Sequence, residues 1–235
     1  MLRLLTILIC SIYLSSSFAC SVKLKQQDSN SVDEKVLKII CKVIEDSFSH
    51  LKQADIKLKR TKNPEYYLAS NFNISRLRGK KHGYLIHYNP EMFTREIPDN
   101  ALEAILAHEL VHTHDYFKSN IFRLIGIGMK FLNKRSIYRY ERKTDLVTIL
   151  NGIKSNLDYL SGLKAYRKWI YKQLEEKKIL IKKKRYYSPR EFELLSHATQ
   201  DLTKDNKIKF YQLLIKKAPL KGELQDRIKE ILLLI

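Results

Sequence analysis

Apolar residues first recur at Val36, Ile39, Ile40, Val43 and Ile44, the i, i+3, i+4, i+7 spacing of a helix with one buried face. This spacing predicts a helix over 33–54, opened by Ser31 or Asp33 as its cap. Between residues 55 and 90 the period shortens. Ile56 and Leu58 alternate with lysines, and Gly83-Tyr84-Leu85-Ile86-His87-Tyr88 is a β-type run closed by Asn89-Pro90, so a small sheet is expected there. Pro98-Asp99-Asn100 then opens a helix through Ala101–Phe117, with Asn100 and Glu103 spaced as a capping box. From Asn120 onward the pattern is helix after helix, with breaks expected at Gly126/Gly128, Asn151-Gly152, Ser161-Gly162, Tyr187-Ser188 and Leu220–Gly222. Ser188-Pro189-Arg190-Glu191 combines a cap, a first-turn proline and a third-position glutamate, the strongest helix start in the chain. Trp169, Tyr166 and Ile170 read as core. The expected fold class is α+β: a small β-sheet, a helix that follows it, and a mostly helical C-terminal half.

The first nineteen residues follow a different logic. Arg3 precedes an uncharged, largely apolar run of eleven residues, Leu4–Leu14, and small residues follow up to Ala19. The run is too short to span a bilayer and reads as a signal peptide, residues 1–19, with Ser17 and Ala19 meeting the small-x-small rule for a cut before Cys20. The expected localisation is therefore exported, either periplasmic or as a membrane-anchored lipoprotein with Cys20 as the lipidation site. Lipidation would leave Cys41 as a lone core thiol, whereas plain secretion would leave a Cys20–Cys41 bridge open. Residues 20–32 are polar and read as a tether, so residues 33–235 form a single domain, ample for a buried core.

Composition narrows the classes. Hydrophobic residues make up 44% and charged residues 29%, which excludes a disordered tail and a multi-pass membrane protein. The 44 Lys+Arg against 25 Asp+Glu give a net charge of +19, which favours an anionic neighbour. A membrane surface, reached through a lipid anchor and basic patches, fits the export signal. Nucleic acid is not an expected partner, because the signal takes the chain away from it. Lys177–Arg185 is the densest basic run and reads first as a solvated helix end. Ile121–Leu132 is apolar but carries Arg123 and Lys130. A core or cleft-lining helix is expected there, and a membrane-touching segment is the minor alternative.

The candidate chemistry lies at His108-Glu109-Leu110-Val111-His112. Positions i and i+4 of a helix stack on one face, so both imidazoles can reach one metal ion. Glu109 is turned by about 100° from His108. That places it to take a proton from a water beside the ion without ligating it. A third protein ligand is required, with one position left open. Asp115 shares the helix face but lies about 10 Å along the axis from His108, too far to join both imidazoles on one ion. Glu141 and Asp145 are better placed, both on one face of a second helix. Glu141 is the candidate third ligand, and Asp145 is assigned to accept the outer N–H of a ligating histidine, His108.

HExxH followed by ExxxD on a later helix resembles the gluzincin metallopeptidases, the thermolysin-like clan. Within it the chain is most similar to the bacterial and CAAX-type membrane-associated zinc proteases. The resemblance covers about Gly83 to Asn151, under a third of the chain. It implies a zincin-like fold, a Zn2+ cofactor on His108, His112 and Glu141, Glu109 as the catalytic base, Asp145 behind the ligands, and a protein or peptide substrate. Thr144 stands where the pattern usually has a small residue, and His114-Asp115 after the motif lie outside the pattern.

An oxyanion-stabilising residue should come from outside these motifs. His197 is the possible oxyanion stabiliser, with Tyr138, Tyr140 and Tyr166 as further candidates. An edge strand that pairs with extended substrate is expected at Tyr84–Tyr88. The function expected from the sequence is an exported zinc-dependent metallopeptidase, a hydrolase. The alternative is a non-catalytic basic lipoprotein that binds anionic envelope polymer or lipid.

Overall fold

A four-stranded sheet forms from β1 (Lys23–Leu24), β2 (Asp55–Arg60), β3 (Leu68–Phe72) and β4 (Gly83–Tyr88), in the order β1-β2-β4-β3. β2 pairs in parallel with β1 and β4, while β3 runs antiparallel to β4 with Ser70 opposite Ile86. The computed structural model describes residues 20, 22–24, 31–62, 67–72, 83–119, 121–130, 132–178 and 185–235. The expected signal peptide, residues 1–19, lies outside the described residues, as does most of the basic run Lys177–Arg185. The helices in chain order are α1 (Ser31–Ser47), α2 (Glu91–Thr94), α3 (Asp99–Phe117), α4 (Ile121–Lys130), α5 (Lys134–Ser155), α6 (Tyr159–Glu176), α7 (Pro189–Thr199), α8 (Lys204–Lys216) and α9 (Leu224–Leu232), with a 3-10 turn at Ser49–Gln53. The class is α+β with a small sheet, as the change of period predicts.

The alternation in β2 buries Ile56 and Leu58 and leaves its lysines outward, and α1 buries Val36, Ile40, Val43 and Ile44 on one stripe. α3 behaves differently. Nearly every residue from Ala101 to Thr113 is buried, because α1, α5, α6 and β3 all pack around this helix. It starts at Asp99 behind Pro98, without the expected Asn100–Glu103 capping box; Glu103 instead takes an ion pair from Lys42 at 2.9 Å. The Ser188–Glu191 capping box forms as its sequence predicts.

Four glycines read as breaks, Gly126, Gly128, Gly152 and Gly162, lie inside helices. A Cβ on Gly162 would stand 2.5 Å from both Ala104 Cβ and the Asn100 carbonyl oxygen, so glycine is what lets α6 cross α3 closely. Gly152 sits under Leu157 and Tyr159, and the real end of α5 is Asn156, in the left-handed region at φ 59°. Gly126 likewise lies within α4.

The N-terminal expectations require two corrections. Residues 20–32 are not a free tether: Val22 is buried, β1 joins the sheet, and α1 already begins at Ser31. Cys20 is bonded to Cys41, with Cα atoms 5.6 Å apart. A sulfur used in a disulfide has no valence left for a lipid thioether, so the lipidation site expected at Cys20 is replaced by a crosslink onto α1. Among the described residues, no helix is long and apolar enough to cross a membrane.

Candidate metal centre

The i, i+4 spacing on α3 brings His108 and His112 side by side, ring centroids 4.9 Å apart. α5 packs across them and supplies Glu141. Its Oε2 lies 3.4 Å from His108 Nε2 and 3.3 Å from His112 Nε2, and the three donor atoms all fall within 4.8 Å of one another. Ligands about 2.0–2.1 Å from a tetrahedral ion stand about 3.3–3.4 Å apart, so these separations suit one ion at their centre. All three residues are buried, and Glu141 Oε2 has no hydrogen-bond partner. An unpartnered buried carboxylate oxygen is costly, and a cation at this position would satisfy it. The group can therefore hold a metal ion.

Outer partners fix the orientation of each ligand. Asp145, one turn after Glu141, places Oδ1 2.9 Å from His108 Nδ1, the position foreseen for it. Asp145 is held in turn by Arg167 at 3.3 Å and by the Tyr187 backbone N–H at 3.4 Å. His112 Nδ1 is 3.1 Å from the Tyr140 hydroxyl, which is also hydrogen-bonded to Asp115. Asp115 is thus outside the ligand set, as its axial offset requires, but anchors the second imidazole through Tyr140. Both histidines have the Nδ1 side occupied and the Nε2 side turned to the common centre.

The electrostatics agree with a cation site. Burial disfavours charge on His108, yet the adjacent Asp145 and Glu141 carboxylates outweigh that and lift it to about 9. Burial likewise disfavours ionised Glu141, but the His112 charge and the nearness of both imidazoles hold it well below the usual carboxylate range. A metal at this position would compete with protons for the same imidazoles and carboxylate.

Glu109 does not join the triangle. It lies on the adjacent wall, where the Ser70 backbone N–H of β3 donates to its Oε2 at 2.6 Å. Ser70 Oγ also meets Thr113 Oγ1 at 2.9 Å, which ties the strand to α3. A cavity of about 310 Å³ opens here, lined by β3 at Ala69–Asn71, by Glu109, His112 and Glu141, and by Arg185 and Tyr186. Arg185 forms an ion pair with Glu141 Oε1, the oxygen facing away from the imidazoles. Tyr186 lies under the Arg167 guanidinium, 4.0 Å from its ring centroid, and burial pushes its hydroxyl well above the usual phenol range.

Two expectations about the cleft change. His197 is exposed on α7 beside Glu193, on a solvent face, while the groups of the centre are buried; Arg185, Tyr186, Tyr116 and Asn71 are polar groups at the cavity wall. Tyr84–Tyr88 is β4, flanked by β2 and β3 and without a free edge. β3 is the edge strand at the cleft among the described residues. Tyr166 is core, stacked at 6.0 Å on Trp169.

Arg185 and Tyr186 reach the cavity because α5 holds the segment that carries them. Arg142, fully buried, donates to the Tyr186 carbonyl at 3.1 Å and the Pro219 carbonyl at 2.6 Å, pairs with Glu191 at 2.5 Å, and lies 3.8 Å from the Tyr187 ring centroid. One helix thus supplies a ligand, the carboxylate behind another ligand, and the clamp on the facing wall. No family model, curated protein or solved structure matches this chain. The reading of the centre rests on its own geometry.

Proposed function

We propose that this chain is an exported zinc-dependent metallopeptidase with a zincin-like arrangement of sheet and active-site helix. One observation carries the reading: the unpartnered, buried Glu141 Oε2 faces two Nε2 atoms, and Glu109, tethered outside that triangle, is free of ligand duty. Two imidazoles and one carboxylate favour zinc among the common divalent ions, with a position left open toward the cavity. Zinc bound by His108, His112 and Glu141 would act as a Lewis acid and bring an adjacent water's pKa toward neutrality.

The protein's own groups do the rest. Glu109 accepts the proton of the attacking water and passes it to the leaving amine, and the Ser70 N–H keeps its carboxylate at the cleft wall during both transfers. Arg185 and Tyr186, with Tyr116 and Asn71, are cavity-lining donors that can serve a developing oxyanion. Peptide substrate adds to the outer edge of β3 as an extended strand, which brings its backbone past Glu109. The leader-like N-terminus and the Cys20–Cys41 bridge both support an exported location, since disulfides persist in oxidising compartments.

The test is metal analysis together with hydrolysis of an unstructured protein such as casein by the purified chain. One zinc per chain is expected. Glu109→Gln should keep that zinc while activity falls by about 10²- to 10⁴-fold, the usual contribution of a positioned general base. Full activity in Glu109→Gln, or failure of the wild-type chain to bind zinc, overturns the proposal.

A further inference from the structure

α4 is a helix whose exposed side is the wrong chemistry for water. Phe122, Ile125 and Met129 are 79%, 55% and 63% exposed, and Leu132 just beyond the helix is 86% exposed. At about 100° per residue Phe122, Ile125 and Met129 fall within one sector of the helix, and Ile127, 5% exposed, falls on the opposite side. The helix therefore docks on the body through Ile127 and turns an apolar stripe outward. A Cβ on Gly126 would meet nothing within 4 Å, so this outer side is open. Phe117, at the end of α3, is a further exposed large apolar residue.

The charge around the stripe selects its occupant. From Phe117 to Tyr140 the chain holds six basic residues, Lys118, Arg123, Lys130, Lys134, Arg135 and Arg139, and no acidic one, in a protein of net charge +19. Lys118, Lys134 and Arg135 are exposed at the two ends of α4. A carboxylate from outside the segment, Glu223, lies 3.8 Å from Arg135, but an apolar stripe set in a segment with basic and no acidic residues matches a surface that is apolar beneath and anionic above. A second copy of this chain would bring the same cations against each other.

We infer that α4 is an interfacial anchor that lies in the plane of an anionic lipid membrane, with Phe122, Ile125, Met129 and Leu132 inserted among the acyl chains and the flanking lysines and arginines on the headgroups. α4 joins α3 to α5, the two helices that carry every metal-ligating residue, so docking sets the cleft close to the bilayer surface. The anchor does not depend on the catalytic reading and can stand or fall without it.

The experiment places a reporter in the stripe. Trp169 is buried in the core, so Phe122→Trp adds one tryptophan that can enter lipid. With phosphatidylglycerol-containing vesicles its emission should shift to the blue and be quenched by lipids brominated on the acyl chains. Pure phosphatidylcholine vesicles should give at least tenfold weaker binding, as should 0.5 M salt. Met129→Ser with Leu132→Ser in the reporter chain should weaken anionic-vesicle binding at least tenfold with the circular dichroism spectrum unchanged. Absence of acyl-chain quenching with anionic vesicles overturns the inference. So does an emission shift that follows protein concentration and a dimer peak in sedimentation velocity, which would assign the stripe to a second copy.

Discussion

Between α3 and α5 four ionisable side chains, His108, His112, Glu141 and Asp145, are buried. On α4 and just after it, four large apolar side chains stand exposed to water. Each inverts the ordinary partition of polar and apolar groups, and such inversions carry more information than the conforming majority. The difference lies in how each is supported. The buried ionisable groups at the centre are braced from outside by Arg167, Tyr140, Arg185 and the Tyr187 N–H, so the fold itself maintains them. Among the described residues the α4 stripe has no such support, and Ile127 is the side chain of this helix that is buried. Polar burial here is built into the protein, whereas apolar exposure is completed from outside it.

The comparison can be broken most forcefully at Arg142. Arg142→Met removes a buried cation and leaves Glu191 and the Tyr186 and Pro219 carbonyls without their donor. Urea unfolding should show a loss of about 3–5 kcal/mol. A loss below about 1 kcal/mol would mean that the clamp on the cleft wall does not support the fold. A smaller effect is expected from Asp145→Asn, which weakens the acceptor behind His108. Zinc affinity, measured by competition with a chelating dye, should fall about 10- to 100-fold, and unchanged affinity would remove Asp145 from the metal's support. The smallest effect sharpens the other side of the contrast. Phe122→Ser should shift unfolding by no more than about 0.5 kcal/mol, because the side chain contacts water in the monomer. Ile127→Ala, on the same helix, should cost about 2 kcal/mol or more. Equal costs at the two positions would contradict the one-sided docking of α4.

Much of the centre was legible because it is written in helical periodicity. His108 with His112, and Glu141 with Asp145, each repeat at i, i+4, and this spacing alone puts each pair on one face. The packing of the two faces against each other is a long-range event that spacing does not encode. The groups that escaped the sequence lie off the helices. Ser70 acts through its backbone N–H, which every residue except proline has, and Arg185 ends a basic run that reads as a solvated segment. His197 was misplaced because a histidine's helix position says nothing about which neighbouring element its face meets. Edge and interior strands also share one alternating pattern, so β4 was mistaken for the cleft edge that β3 provides. α4 was expected to be core for the same kind of reason: an apolar stripe at helical period is the same signal whether protein or lipid covers it. Gly152 and Gly162 were read as interruptions, whereas their lack of a Cβ serves helix contacts.

The bond from Ser70 to Glu109 has a consequence for how this cleft can change over generations. Its donor belongs to the main chain, so the residue at position 70 can drift through almost any chemistry while the base keeps its tether. Proline alone, having no N–H, would delete it in one step. The grip on the carboxylate is thus inherited with the path of the backbone and leaves no letter in the sequence to mark it.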